Sequence, residues 1–537
     1  MSRQVPIVGF AALVLIVQSA RADDAMSLPE HIDRLVEAKF QGKPAALTSD
    51  SEFLRRAWLD FAGRIPSAEE TRKFLADKSP EKRNALIQSL LNSPHYAQRM
   101  RELFNVILME RRGDHEEWDK FLQTAFEKNV AWNELVKSIL APNPEDENNR
   151  GAAFFTTKRL SKVGQQSTDF PGLTRDIGRL FLGLDLQCAQ CHDHLFVDDY
   201  KQVEFQGLYS VYLNTYIRTD VKFPAVGEKE MRQPLEFTSV FAEDQNKTGP
   251  RIPFGKEFEI PEAIQNKKPP PRSKEYKAPE FSAVRLIADN LPSAENRLFA
   301  KNIANRLWFV LMGRGIVQPL DLSHSDNPPS HPELLELLAD QVIAHKFDLK
   351  WMFEQLALTK TYQRSSVIPE GQESPKPETF QVALERRLSA EQILRITLQA
   401  TGDFDRLTKL DKDGKHSEEY TELKKKFVDS FANTATEPEE TYDATVKAAL
   451  FALNDGKFLD LVVKREGNLI DRLAKTTDTE KLTEELFLSV YTRMPHEDER
   501  SEVTEFLAKH GAGEKRDKAI GQIVWAMLAS IEFCLNH

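Results

Sequence analysis

Two of the three cysteines in the 537-residue chain stand three apart, Cys188 and Cys191, followed at once by His192 and then by Asp193 and His194. Cys-x-x-Cys-His is the attachment signature of a c-type haem. The two thiols would add to the haem vinyls as thioethers, and the imidazole carried on the same turn would be placed under the iron as proximal ligand. His194 cannot serve as the opposite axial ligand of that haem, because two residues of chain do not reach around to the other face.

The same residue types permit other chemistry. Cys188, Cys191, His192 and His194, with Asp193 or a distant histidine, form a ligand set for zinc, although structural zinc sites usually draw ligands from two separate segments. An oxidising compartment would equally favour a short Cys188–Cys191 disulfide. Asp193 lies between two imidazoles, where a carboxylate could orient either ring, as happens around metal centres.

The elements that must position the motif are mainly helical. An apolar-rich helix over 174–186 is expected to deliver Cys188. After His194, Phe205, Tyr209, Tyr212 and Tyr216 recur at helical spacing and read as core or as the wall of a haem pocket. Upstream, a polar run at 48–51 precedes an apolar stripe through Phe53, Leu54, Ala57, Trp58 and Phe61, with Gly63 as its C-terminal stop. Ser67 with Glu70 forms a capping box for the next helix, and Ser79-Pro80-Glu81 opens a third.

Residues 219–282 change texture, with short alternating pieces such as 235–240 and a polyproline run at 269–271 that read as edge strands and a linker. From 283 the chain is helical again. A helix over 294–311 stops at Gly313, and Ser330-His331-Pro332-Glu333 reads as a capping box with proline in the first turn of a helix through Ala344. Ser389 with Gln392 caps another, and 403–445 reads as a charged, hydrophilic helical hairpin. His331, at a helix start, is the preferred second functional histidine, ahead of His324. Met312 has the chemistry of a sixth iron ligand, but a methionine near a helix end is more often core. Cys534 is left over as a buried thiol.

Composition narrows the class. The net charge of −11 is modest for this length, and no basic face points to nucleic acid. Residues 1–22 read as a signal peptide, with Arg3, an apolar core at 7–17 and Ala20-Arg21-Ala22 before Asp23. No later stretch has the length of a membrane span. The expected product is exported, periplasmic or in the cell envelope, and without a membrane span once the signal is cleaved.

Five stretches carry a resemblance. Arg55-Arg56-Ala57-Trp58-Leu59-Asp60-Phe61-Ala62-Gly63-Arg64-Ile65-Pro66 and Cys188-Ala189-Gln190-Cys191-His192-Asp193-His194 are similar to the first domain of large secreted planctomycete proteins, a planctomycete cytochrome-C-type domain. Asn305-Arg306-Leu307-Trp308, Gly313-Arg314-Gly315-Ile316-Val317 and the run from Asn327 to Leu335 resemble its companion domain of unknown function. The family motif ends in Pro-Phe, where this chain has Leu195-Phe196. The resemblance implies a relation to c-type cytochromes and assigns no activity.

The expected architecture is mainly α, with two helical domains (27–218 and 283–537) joined by the proline-rich segment 219–282 with minor β. Three functions follow. One is an exported redox protein with haem c on Cys188, Cys191 and His192 and a redox partner protein. Another is a zinc- or other metal-dependent extracytoplasmic enzyme using Cys188, Cys191, His192 and His194, with Asp193 or His331. The third is a non-catalytic envelope protein with a Cys188–Cys191 disulfide and an envelope partner.

Overall fold

The computed structural model describes residues 26–162, 167–268, 276–412, 414–439 and 446–537. The signal-like segment and the polyproline run lie outside them. Among the described residues the chain is mainly helical, and its strands form three two-stranded antiparallel pairs. Two of these are hairpins, one leading into the proline-rich segment (Thr215–Ile217 with Val226–Glu228) and one within it (Leu235–Thr238 with Gln245–Thr248). The third joins Arg386–Arg387 to Leu535–Asn536 near the C-terminus. No helix among these residues is long and apolar enough to cross a membrane.

Local signals set most helix ends. The Asp50–Ala62 helix starts at Ser49, whose hydroxyl accepts the Glu52 N–H at 3.2 Å. It stops at Gly63, which takes the left-handed conformation (φ +67°) that costs glycine little. Ser67 and Glu70 close their capping box ahead of Ala68–Ala76, as do Ser389 and Gln392 ahead of Ala390–Thr401.

The apolar core falls into two clusters. The first gathers residues from Ile32 to Phe380, so both expected domains contribute to it. The second is built from Leu388 to Phe533 together with Leu59 and Ile65. The Asp50–Ala62 helix joins them: Phe53, Leu54, Ala57, Trp58 and Phe61 face the first cluster and Leu59 the second. Every residue from Phe53 to Ala62 is buried, charged ones included.

Three expectations need correction. The 174–186 helix is interrupted: Phe170–Ile177 continues as a π-turn over Gly178–Leu182 and ends at Gly183 (φ +71°). At 330–333 the helix Pro332–Ala344 is present, but His331 is its N-cap and no side chain caps it. The Ser330 hydroxyl is instead bonded to the Ile316 carbonyl at 3.1 Å. Within 403–445, the Glu418–Phe431 helix is amphipathic: Tyr420, Leu423 and Phe427 recur at helical spacing beneath a charged surface and join the second cluster.

Candidate functional site

The approach to the motif is set by contact with the second half of the chain. After Gly183, Leu184 forms an antiparallel bridge with Leu322. The Asp185 N–H donates to the Asp321 carbonyl at 2.8 Å, and the Ser323 N–H to the Gly183 carbonyl at 3.0 Å. Gly183 is needed here for close approach as well as for its φ, since a Cβ would lie 3.1 Å from Asn302 Oδ1 and 3.3 Å from the Leu320 carbonyl.

Beneath this junction is a buried ion network. Arg179 reaches Glu110 at 2.6 Å, Asp176 at 3.1 Å and Asp321 at 3.0 Å. Arg159 pairs with Asp176 at 2.6 Å, and Arg306 also pairs with Asp321. The surrounding guanidinium groups hold the Asp176 carboxyl below the usual range against the opposing effect of burial.

The motif itself is one 3₁₀ turn, Cys188–Gln190. Ala189 is fully buried and acts as the peg that turns both cysteines outward. Gln206 Nε2 donates to the Gln190 carbonyl and Arg175 Nη1 to Gln190 Oε1, both at 2.8 Å. The Cys191 carbonyl accepts the Val240 N–H at 3.1 Å. Cys188 and Cys191 are exposed free thiols.

The two histidines of the motif hold opposite hydrogen-bonding roles. His192 Nδ1 lies 2.6 Å from the Asp193 carbonyl oxygen. A carbonyl only accepts, so Nδ1 carries the proton and Nε2 keeps a lone pair, the tautomer that ligates a metal. His194 Nδ1 accepts the N–H groups of Val197 at 2.9 Å and Phe196 at 3.2 Å. Its proton therefore sits on Nε2, and in this conformation neither ring nitrogen offers a free lone pair.

Asp193 orients neither ring through its carboxylate. Its Oδ1 accepts the Gln202 N–H at 2.8 Å, at the start of the Gln202–Tyr212 helix, and Oδ2 lies 3.5 Å from Lys201. A carboxylate at a helix N-terminus satisfies an otherwise orphaned backbone donor, which explains the choice.

His331 is held elsewhere. Its ring packs on Phe380 (centroids 5.6 Å apart), and Nδ1 lies 3.1 Å from Ser330 Oγ. Burial, with the Lys39 charge, lowers its pKa to about 4. His324 is the histidine of the second half brought alongside the motif. Its ring stands edge-on to Tyr200 at 5.4 Å, and Tyr200 in turn stands edge-on to His194 at 6.1 Å. Met312 is buried in the first core beside Tyr362 and Phe380. Of the aromatic run after the motif, Phe205 and Tyr212 are also core, but the helix ends at Tyr212 and Tyr216 lies beyond it, exposed in the Thr215–Ile217 strand, because the chain turns into a hairpin there. Among the described residues, no group of three or more His, Cys, Asp and Glu side chains is arranged to hold a metal ion.

The surface around the thiols is apolar. Phe241 packs on the His192 ring with centroids 4.8 Å apart yet remains 69% exposed, and Leu195, Phe196 and Val240 are exposed beside it.

A second polar feature was not read from the sequence. A cavity of about 320 Å³ lies between the Pro94–Met109 and Arg297–Met312 helices and residues 385–392. Asp60 lines it, accepting from Arg386 through both oxygens (3.0 and 2.8 Å), from the Tyr362 hydroxyl at 2.8 Å and from Asn536 at 2.9 Å. The available signal was the spread of apolar residues (Phe53, Leu54, Ala57, Trp58, Leu59, Phe61) around most of the 50–62 helix, since a helix that is apolar nearly all round is a buried one whose charges must find partners.

Comparison with known proteins places both halves. Residues 31–216 match the family model PSCyt2, described as a protein of unknown function (DUF1549), and residues 285–507 match PSD1, a protein of unknown function (DUF1553). No curated protein and no solved structure matches the chain. With the two models covering about three quarters of its length in that order, the chain belongs to the family in which a PSCyt2 domain is followed by a PSD1 domain.

Proposed function

We propose that this chain is an exported redox carrier that holds one haem c on Cys188 and Cys191 with His192 as the proximal ligand. The observation that carries the reading is the pairing of two outward-facing free thiols on one turn with an imidazole whose Nε2 lone pair is kept available by its own neighbour's carbonyl. Cys188 and Cys191 would hold the haem as thioethers, each S–H adding across one vinyl group with its hydrogen on the neighbouring carbon, so that attachment would need no external oxidant. The exposed Leu195, Phe196, Val240 and Phe241 side chains supply the apolar contact that a porphyrin face requires. A haem bound there supplies one-electron exchange.

The protein's own contribution is positional. Ala189 anchors the turn, the Asp193 carbonyl fixes the His192 tautomer, and the pairing of 183–185 with 321–323 ties the motif to the second half. Export fits the reading, because haem c is attached after export. The partner is a redox protein approaching the exposed face around Cys188 and Cys191.

The test is a pyridine haemochrome spectrum with a haem-stained denaturing gel, on protein exported from a host with c-type haem maturation. The expected result is a stained band that survives denaturation and disappears in the Cys188→Ala, Cys191→Ala variant. A colourless wild-type protein would overturn the proposal, and metal analysis of that sample would then separate a zinc site from a disulfide.

A further inference from the structure

A second cavity, of about 300 Å³, lies under the Val446–Asn454 helix and has no part in the motif site. Its walls are largely apolar, with Ile393, Phe431, Ala452, Phe458 and Leu528 contributing, and the Cys534 thiol stands among them. The hydroxyls that reach it are already satisfied by the protein. Thr397 Oγ1 donates to the Ile393 carbonyl at 2.7 Å, and Ser530 Oγ is shared between the Phe533 N–H at 3.2 Å and the Tyr491 hydroxyl at 3.0 Å. An occupant therefore needs no polar group inside. Its size and lining are those of a small-molecule pocket.

The helix above the cavity gives a second, independent observation. Val446, Leu450 and Leu453 follow one another at helical spacing and are 76%, 53% and 50% exposed. Ile531, on the cavity rim, is 79% exposed. Of these four only Ile531 lines the cavity, while Val446, Leu450 and Leu453 stand on the flank of the helix whose Ala448, Ala449 and Ala452 line it; their exposed apolar surface suits an amphiphile rather than water. Arg387 lines the same cavity and places a guanidinium near the Cys534 thiol.

We propose that this cavity binds the acyl chain of a fatty acid or lipid, the chain lying along Ile393, Ala452 and Phe458 and the polar head standing out in solvent at the rim by Ile531. Free fatty acid and bilayer lipid present the same chain, and the experiment separates them.

Equilibrium dialysis of the full-length exported protein against radiolabelled palmitate should give saturable uptake of one molecule per chain. Ala452→Phe, which fills the cavity, should weaken uptake about tenfold or more with an unchanged circular dichroism spectrum. Alkylation of wild-type Cys534 by N-ethylmaleimide, followed at the peptide level by mass spectrometry, should slow when palmitate is bound. Flotation of the wild-type protein, but not of Ala452→Phe, with phosphatidylglycerol–phosphatidylcholine vesicles identifies bilayer lipid as the source. Uptake in dialysis without flotation identifies free fatty acid. The proposal is overturned by the absence of both saturable uptake and flotation, or by uptake that leaves Cys534 alkylation unchanged. Because the alkylation measurement uses the wild-type protein, it decides the matter even if Ala452→Phe fails to fold.

Discussion

At the scale of single residues, hydrogen-bond direction separates two histidines that the sequence presents as equivalent. His192 faces an acceptor and His194 faces two donors, so only His192 keeps a ligating nitrogen in this conformation. Buried histidines elsewhere set a pH dependence. Burial lowers the pKa of His331 to about 4, and burial with the Arg64 and Arg395 charges does the same for His95. The unfolded chain takes up these protons from about pH 6.5, before the folded chain does. Stability contributed by the neutral rings is therefore present above pH 6.5 and is lost as pH falls through 6.5 towards 4. Thermal melts over that range should show a loss on the order of 2 kcal/mol from His331 by pH 4, and His331→Gln should flatten that part of the profile. An equally steep acid profile in the variant would show that His331 does not contribute.

At the scale of elements, the Asp50–Ala62 helix ties the chain together through its charges. Arg55 Nη2 donates to the Phe533 carbonyl at 2.8 Å. Arg56 donates to the Tyr362 carbonyl, to that of Arg364 at 2.9 Å and to that of His537 at 3.1 Å. Asp60 gathers Arg386, Tyr362 and Asn536 on the same helix. Asp60→Ala would strand the largely buried Arg386 guanidinium without its carboxylate, and urea unfolding should report a loss of about 3–5 kcal/mol. A loss below about 1 kcal/mol would mean that the ion pair merely offsets its own desolvation. The start and stop of this helix were legible at Ser49 and Gly63, because capping is decided within a few residues. The partners of Arg55, Arg56 and Asp60, hundreds of residues away in the chain, were not.

At the scale of the whole molecule, the apolar core does not divide at the proline-rich segment. The PSCyt2 half and residues as far as Phe380 share one cluster, which includes Trp118, Phe181 and Trp308. A fragment ending at residue 282 would expose side chains that pack against Phe299, Ile303, Leu307 and Trp308 in the full chain. It should aggregate, or lack the cooperative unfolding transition of the full-length protein, in circular dichroism and calorimetry. A soluble fragment with its own sharp transition would show that the first half forms its core unaided.

The sequence by itself determined the helical class, the ends of helices with a clear cap or stop such as Asp50–Ala62, Ala68–Ala76 and Ala390–Thr401, the strand at Leu235–Thr238 and the Cys-x-x-Cys-His motif. All of these rest on spacing, capping and turn chemistry that act over a few residues. Tertiary structure decided the remainder. It brought His324 rather than His331 alongside the motif, turned the Asp193 carboxylate to the Gln202 amide, ended the delivering helix at Gly183 against Leu322, and buried one face of the charged 418–431 helix. Each of these depends on which distant backbone or apolar surface needs a partner once the chain is packed. A buried donor, acceptor or side chain is satisfied by whatever the fold places beside it, and sequence spacing carries no record of that neighbour.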